Sequence, residues 1–487
     1  MALSATAQVF AEGKLMTATY EVHDPATLEL VGTAPLHGAH DVDAAVARSV
    51  AAGAGWAADR GARREALRLA AAALRAKAPK IGRTLSLEQG KVLREAVGEV
   101  LVAADVFDYY ADLEWAEEEI LQERQGRSLR VQRRPVGVVA AITPWNFPIS
   151  LLSVKLAPAL AAGCTVIAKP SPTTPLSTIA LVDAVAEFVP AGVVQWLTGR
   201  REVNRALSEH PRVRKISFTG STEVGAAIAA QAAPTVKRVT LELGGNDPAI
   251  VLPDADAAFT AAGIVGSAFR NAGQVCMAVK RVFVPAGREA EFVEAIVAEA
   301  ARIAVGHGIA EGTAMGPMHS RSQLELVEGL VRDALDAGAR LATGGGRGTD
   351  LPGYFLEPTV VTGAEFTTPL VALEQFGAAL PVVAYQDVDS LVAQLNAQEF
   401  GLGASVWTPD LERAEVLAGT IEAGTVWVNQ HTVVELDAPF GGWKASGIGR
   451  ERGQWGLEPY LELRTVNARA HAPAQAAAPS AAATAGN

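Results

Sequence analysis

The sequence predicts an α/β protein with two blocks of parallel sheet, on three observations. Between residues 136 and 242, short apolar runs rich in β-formers alternate with helix-length segments, the signature of βαβ units. Runs such as Val-Gly-Val-Val-Ala-Ala-Ile at 136–142 are apolar at successive positions, as strands covered on both faces are. The alternation resumes after about residue 247. A chain of 487 residues also exceeds one ordinary core, so length predicts roughly two to four domains.

The elements follow in order. Residues 41–121 read as helical: Ala, Leu and Arg dominate, and Gly90 marks a break. Residues 123–134 are polar and strand-like with Gly126 at a turn. They form an exposed ribbon without a core face of its own, which requires a partner edge. The first block then runs strand 136–142, helix 150–162, strand 165–168, helix 175–188, strand 193–197, helix 201–209, strand 215–218, helix 222–231 and strand 238–242. The second, from about 247 to 445, has strands at 281–284, 380–385 and 424–429. Its helices fall at 288–303, 321–337 and 410–421. The Ala/Pro/Ser-rich tail lacks periodicity and reads as disordered.

Hydrophobic residues make up 49% of the chain and charged ones 20%, a globular composition. The net charge of −11 disfavours nucleic acid and anionic membrane as partners. No apolar run reaches about 18 residues, so no membrane-spanning helix is expected. The N-terminus lacks a basic region followed by an apolar one, so no secretory signal is read. Cys164 and Cys276, the only cysteines, lie far apart and outside any CxxC or Cys/His cluster. A disulfide framework and a metal centre are therefore not expected, and cytoplasmic residence fits.

Several motifs sit at the ends of these strands, each with a functional and a structural reading. Gly220-Ser221-Thr222-Glu223-Val224-Gly225 opens a helix. Its backbone N–H groups can hold a pyrophosphate, or Ser221 or Thr222 can simply cap the helix. Thr143-Pro144-Trp145-Asn146-Phe147-Pro148 is a rigid loop at a strand's C-terminal end, where ligands sit in open α/β sheets. The Asn146 amide there can donate to a developing oxyanion or to the backbone. Lys169, before Pro170-Ser171-Pro172, can bind ribose or phosphate, or be solvated. Glu374, before Gln375-Phe376-Gly377, can bind a second ribose or be ordinary surface charge. Glu242 closes a buried strand before Leu243-Gly244-Gly245, a costly place for a carboxylate without a partner. Cys276 follows Gly273-Gln274-Val275 in a setting compatible with access and nucleophilic attack. Cys164, in an apolar run, reads as core.

Taken together and in order, Pro144–Pro148, Lys169-Pro170-Ser171, Phe218–Ser221, Glu242–Asn246, Gly273–Cys276, Glu374–Gly377 and Pro439–Glu451 closely resemble the NAD(P)-dependent aldehyde dehydrogenases, over about residues 20–467. The resemblance implies a variant Rossmann cofactor domain at 1–122 and 136–241 with 446–461. It implies an α/β catalytic domain at 242–445 and a β-ribbon oligomerisation arm at 123–135 and 462–467, giving a homodimer or homotetramer, with 468–487 left as the disordered tail. At matching positions Cys276 is the nucleophile that forms a thiohemiacetal and then a thioester. Asn146 and the Cys276 N–H form the oxyanion hole, and Glu242 activates the hydrolytic water. Cofactor contacts fall to Thr143, Trp145, Lys169, Ser171, Pro172, Gly220, Ser221, Gly225, Leu243, Gly244, Glu374 and Phe376. Lys155 and Glu451 match a proton relay.

Two departures matter. Pro172 stands where NAD-preferring members often place a Glu on the ribose 2′-hydroxyl, so NAD is expected with NADP possible. Ala378 replaces the usual Pro after Gly377. The positions expected around the aldehyde, Leu151, Val154, Val275, Met277, His431, Val434 and Phe440, are largely apolar and lack an Arg or Lys for a carboxylate tail. They suggest a neutral aliphatic or aromatic aldehyde. A CoA-acylating semialdehyde dehydrogenase is the alternative within the enzymes, and Glu242 speaks against it. A catalytically silent protein on the same scaffold has no need of Cys276, Glu242 and Asn146 together.

Overall fold

Strand Val138–Ile142 shows why the first block forms as it does. Val139 and Ala141 face one core with Val166 and Ala168, while Val138, Ala140 and Ile142 face another with Ile167. Both faces of the sheet are covered, so successive residues must all be apolar. In the computed structural model, which describes residues 10–11, 14–15, 18–124 and 126–470, this strand lies inside a six-stranded sheet. The order is Gly447–Ile448, Arg238–Glu242, Val213–Thr219, Val138–Ile142, Thr165–Lys169, Val194–Trp196. All neighbours are parallel except the Gly447–Ile448 edge. The chain runs outward from Val138–Ile142 to one side, then crosses to the other, so a switch point opens beside that strand's carboxyl end.

The second block is a seven-stranded sheet in the order Arg340–Thr343, Thr359–Thr362, Ala379–Tyr385, Arg281–Pro285, Pro248–Val251, Gly403–Trp407, Thr425–Val428. It is parallel apart from the first strand, around its own core of Ile250, Phe283, Phe292, Val360 and Trp407. A three-stranded antiparallel sheet, Leu461–Arg469, Arg127–Pro135 and Glu118–Arg124, stands apart from both.

The expected helical stretch 41–121 needs correction. It is three helices, Ala39–Ala58, Arg60–Gln89 and Leu93–Asp112, and the ribbon begins at Glu118. Helix-forming Glu and Ala residues at 116–119 hid the strand, whose pairing with Gln132 and Val131 overrides local propensity. Asp59 divides the first two helices by capping Ala62 N at 3.0 Å. Gly90, at φ +104°, ends the second as anticipated. At the other end, Ala468 and Arg469 extend the last strand by pairing with Ser128 and Arg127. The rest of the expected disordered tail, 471–487, and the N-terminal segment 1–9 lie outside the described residues. No helix among the described residues is long and apolar enough to cross a membrane, and none of their His, Cys, Asp and Glu residues cluster as metal ligands.

Candidate active site

Cys276 is presented by a strained turn. Helix Ala257–Ala268 ends, and Asn271, Ala272 and Gly273 follow at φ +50°, +56° and +74°. Two consecutive non-glycine residues in the left-handed region cost of order 1–3 kcal/mol each, and such strain persists only where surrounding contacts enforce it. They do so here. Lys280 Nζ, buried, donates to the carbonyls of Gly273 at 3.0 Å and Val275 at 2.6 Å. Gln274 donates to Asn271 O at 2.8 Å and accepts from His319 N at 2.8 Å. Gly273 also has no room for a side chain, because a Cβ there would run into the backbone of Gly377. The half-buried Cys276 thiol is pushed up to about 12, chiefly by burial, with Lys280 opposing. It rests as the neutral thiol.

The loop after Val138–Ile142 carries Asn146 to this turn. Asn146 Nδ2 donates to Gln274 O at 3.0 Å. Its own carbonyl accepts from the buried Lys91 Nζ at 2.7 Å and from Asn271 Nδ2 at 3.3 Å. Lys91 is delivered by the Gly90 turn. It also pairs with Glu99 at 2.5 Å and lies 3.6 Å over the Phe147 ring. The other Glu99 oxygen accepts from Ile149 N and Ser150 N at 2.9 and 3.1 Å, capping helix Pro148–Ala162 from outside. One ion pair thus fixes both the loop and the helix after it.

Glu242 ends strand Arg238–Glu242, and Leu243 and Gly244 follow. Both its oxygens are buried and lack a hydrogen-bond partner among the described residues. Gly441 makes room for it: a Cβ there would sit 2.7 Å from Oε1. Burial, then the charge of Glu451, lifts the Glu242 carboxyl well above its ordinary range. Glu451 is itself buried and paired with Lys155 at 2.5 Å, and Lys155 donates to Thr219 Oγ1 at 2.7 Å. The expected relay pair is therefore in contact.

Asn146, Glu242, Cys276 and Glu451 line one cavity of ≈ 480 Å³. Of the expected substrate positions, Leu151, Val154, Val275, Met277, Val434 and Phe440 line it too. His431 does not. Asn429 and Thr432, at φ +55° and +61°, reverse the chain around it, its ring packs 4.5 Å from the Trp427 ring, and Nε2 lies 3.6 Å from Asp247. The expectation that cationic side chains are lacking also needs correction, because Arg94, Arg270 and Arg452 reach this cavity. They were missed because Arg94 and Arg270 lie on elements read only as helix or loop. Arg452 was passed over beside Glu451.

Most of the expected cofactor residues lie at the carboxyl ends of the six-stranded sheet, and Glu374 and Phe376 approach them from the segment before strand Ala379–Tyr385. Lys169 pairs in register with Ile142, and Thr219 with Glu242. The Lys169 ammonium is buried, has no acceptor among the described residues, and is lowered to about 8 by burial. Thr143 Oγ1 is likewise buried and unpaired. Among the described residues Glu374 accepts only from Gly245 N, at 3.1 Å, and burial raises it to about 7. A Cβ at Gly244 would meet its other oxygen at 2.5 Å, and one at Gly225 would run into Leu243. Ser221 caps helix Thr222–Ala232 through Val224 N at 3.4 Å, so the capping reading holds, while Gly220 N donates to Glu242 O at 3.0 Å. Trp145 stacks on His319, ring centroids 4.4 Å apart, and meets Phe376 edge-on at 5.6 Å, with Phe376 at φ +48°. Ser171 Oγ bonds Thr173 Oγ1 at 3.0 Å, which reaches His319 Nε2 at 2.7 Å, while Pro172 stays half-exposed. Orphaned polar groups and side-chain-free cradles are what a ribose- and phosphate-bearing cofactor would require.

A thiol on a strained turn and a buried carboxylate thus line one cavity, beside a crevice of orphaned polar groups. The family described as "Aldehyde dehydrogenase family" matches residues 11–466, and the chain belongs to it. It is 39% identical to the mitochondrial succinate-semialdehyde dehydrogenase of Arabidopsis thaliana, over 92% of this chain and 86% of that one. It is 39% identical to the geranial dehydrogenase of Castellaniella defragrans, over 90% and 93%. The structure of betaine aldehyde dehydrogenase from Staphylococcus aureus in complex with NAD+ superposes with a TM-score of 0.91 at 32% identity, covering 95% of each chain. The protein is an NAD(P)-dependent aldehyde dehydrogenase that oxidises an aldehyde to a carboxylic acid.

Proposed function

We propose that Cys276 attacks the aldehyde carbon and that Glu242 activates the water that releases the acid. The observation that carries this reading is the single cavity onto which Cys276, Asn146 and Glu242 converge from three separate elements, with neither Glu242 oxygen hydrogen-bonded among the described residues. The thiol gives its proton to solvent water in the cavity. The thiolate's attack forms the C–S bond as the carbonyl π bond breaks, which puts negative charge on the former carbonyl oxygen, to which Asn146 Nδ2 and the Cys276 N–H donate. Loss of a hydride from that carbon leaves a thioester. Water attacks it, the C–S bond breaks, and Glu242 takes the water's proton. Lys155 and Glu451 hold a charged pair beside Glu242 and continue the proton's path. When bound, the cofactor's nicotinamide supplies the hydride acceptor. Lys169 and Glu374 would hold its riboses, Gly220, Ser221 and Trp145 its pyrophosphate, and Phe376 its nicotinamide. NAD is the main cofactor, with weak discrimination against NADP, because Pro172 offers no carboxylate to either.

The apolar wall of Leu151, Val154, Val275, Val434 and Phe440 suits an aliphatic or aromatic chain. The names of the relatives span charged and neutral aldehydes, so they do not choose between them. The antiparallel arm with exposed Ile120, Leu121 and Leu463 is the oligomerisation surface of a homodimer or homotetramer, the first sheet the cofactor domain and the second the catalytic domain. Two free thiols suit residence in the cytoplasm.

The test is absorbance of reduced cofactor over an aldehyde panel, with and without CoA, for the native enzyme and Cys276→Ala. Turnover without CoA that vanishes in the variant is expected. CoA-dependent turnover would favour the acylating alternative, and a residual rate near the native one would remove Cys276 from the mechanism.

A further inference from the structure

We propose that Arg452 is an anion-recognition residue in the aldehyde cavity, so that the substrate carries a carboxylate or sulfonate remote from its aldehyde carbon. The inference rests on the reading of the Cys276 cavity as the aldehyde site.

Arg452 has φ +67° and ψ +166°, a backbone region that essentially only glycine enters without strain. An arginine held there is held against its own preference, at the N-terminus of helix Gly453–Leu457. What the chain gains is a guanidinium on the wall of the cavity that contains Cys276 and Glu242. Among the described residues no carboxylate or carbonyl accepts from it. Burial draws its pKa down, against the opposing charges of Glu451, Cys276 and Glu242. A largely buried guanidinium without an acceptor is costly, and a carboxylate is the acceptor its planar fork fits bidentately.

The rest of the cavity's charge points the same way. Its acids are mostly committed: Asp105 to Arg75 at 2.6 Å, Glu99 to Lys91, and Glu451 to Lys155. Glu95 is raised by burial. Arg94 and Arg270 also line the cavity, and neither has an ion-pair partner among the described residues. An anion entering therefore meets positive charge that the protein itself leaves uncompensated. The apolar wall carries the methylenes between the two ends, which makes an ω-oxo acid the fitting class.

The experiment compares ω-oxo acids of a few carbons with their methyl esters, for the native enzyme, Arg452→Gln and Arg452→Gly. The glycine variant relieves the backbone strain, so it should melt no lower than the native protein and guards against misfolding. The native enzyme should prefer the acid. Both variants should lose about tenfold or more in kcat/KM for the acid, mainly through KM, with far less change for the ester. Glutarate binding, followed by calorimetry, should weaken in parallel. Equal losses for acid and ester would place Arg452 in the chemistry of Glu242 and Cys276 and overturn the proposal, as would a native enzyme without preference. If Cys276 proves not to be the nucleophile, the aldehyde reading fails by itself. Glutarate binding then still decides: dependence on Arg452 supports the anion subsite, and independence overturns it.

Discussion

Asn146 Nδ2 donates to the carbonyl of Gln274 at 3.0 Å, so the amide proposed to hold the oxyanion is anchored two residues from the thiol it serves. One of its two N–H groups is used to set the geometry, leaving the other for substrate. Asn146→Ala should lower kcat by about 10²–10³-fold, the usual cost of an oxyanion donor. The Cys276 N–H remains, and KM should change less. Steady-state rates with a fixed aldehyde check this.

Lys91 and Glu99 form a buried pair, and Lys91 holds the Asn146 carbonyl. Lys91→Met leaves a buried carboxylate without its partner, and breaking such a pair costs roughly 3–5 kcal/mol. Combining it with Glu99→Gln should recover part of that loss, since the two changes are coupled. Denaturant unfolding of the two single variants and the double variant gives the coupling. Additive losses would mean that the pair does not act as a unit.

Legibility differed by element. The wound sheets were readable because their strands are apolar on both faces, a pattern written in consecutive residues. Asn146, Glu242 and Cys276 were readable because each sits in a Gly- or Pro-bounded string at a strand or helix end. Strand Glu118–Arg124 was not, because its stability comes from a partner strand rather than its own Glu-rich sequence. Lys91 and Lys280 were missed for a related reason: their function lies in carbonyls distant in the chain or in a turn whose first two left-handed residues, Asn271 and Ala272, are not glycine. His431 was misplaced because the reversal at Asn429 and Thr432 also lacks one.

Glu88 offers a pH test away from the chemistry. It is fully buried, accepts from Leu176 N and Ser177 N, and burial raises its pKa from 4.5 to about 7. Between those values the unfolded chain loses a proton that the native protein keeps, so this group's contribution to stability falls as pH rises. Glu88→Gln removes the dependence but weakens the hydrogen bonds. Its deficit relative to the native protein should therefore be largest near pH 5 and shrink toward pH 8, as read from denaturant midpoints. A constant deficit would mean that Glu88 is ionised in the native state throughout.

Pro172 lies three residues past Lys169 and is half-exposed. Pro172→Glu should offer the ribose 2′-hydroxyl an acceptor and repel a 2′-phosphate. Two like charges near 4 Å interact by roughly 4 kcal/mol at an effective dielectric of 20. The ratio of kcat/KM for NAD to that for NADP should rise at least about tenfold, equivalent to ~1.4 kcal/mol. A flat ratio with both cofactors still bound would show that position 172 does not face the ribose.

The central claim, that Cys276 carries a thioester which Glu242 releases, is tested most directly in Glu242→Gln by rapid mixing with aldehyde and cofactor. The account predicts a burst of about one reduced cofactor per active site, a steady state slowed by about 10²–10⁴-fold, and an acyl mass on Cys276 after acid quench. Unslowed turnover without a burst, with Cys276 unmodified, would contradict it.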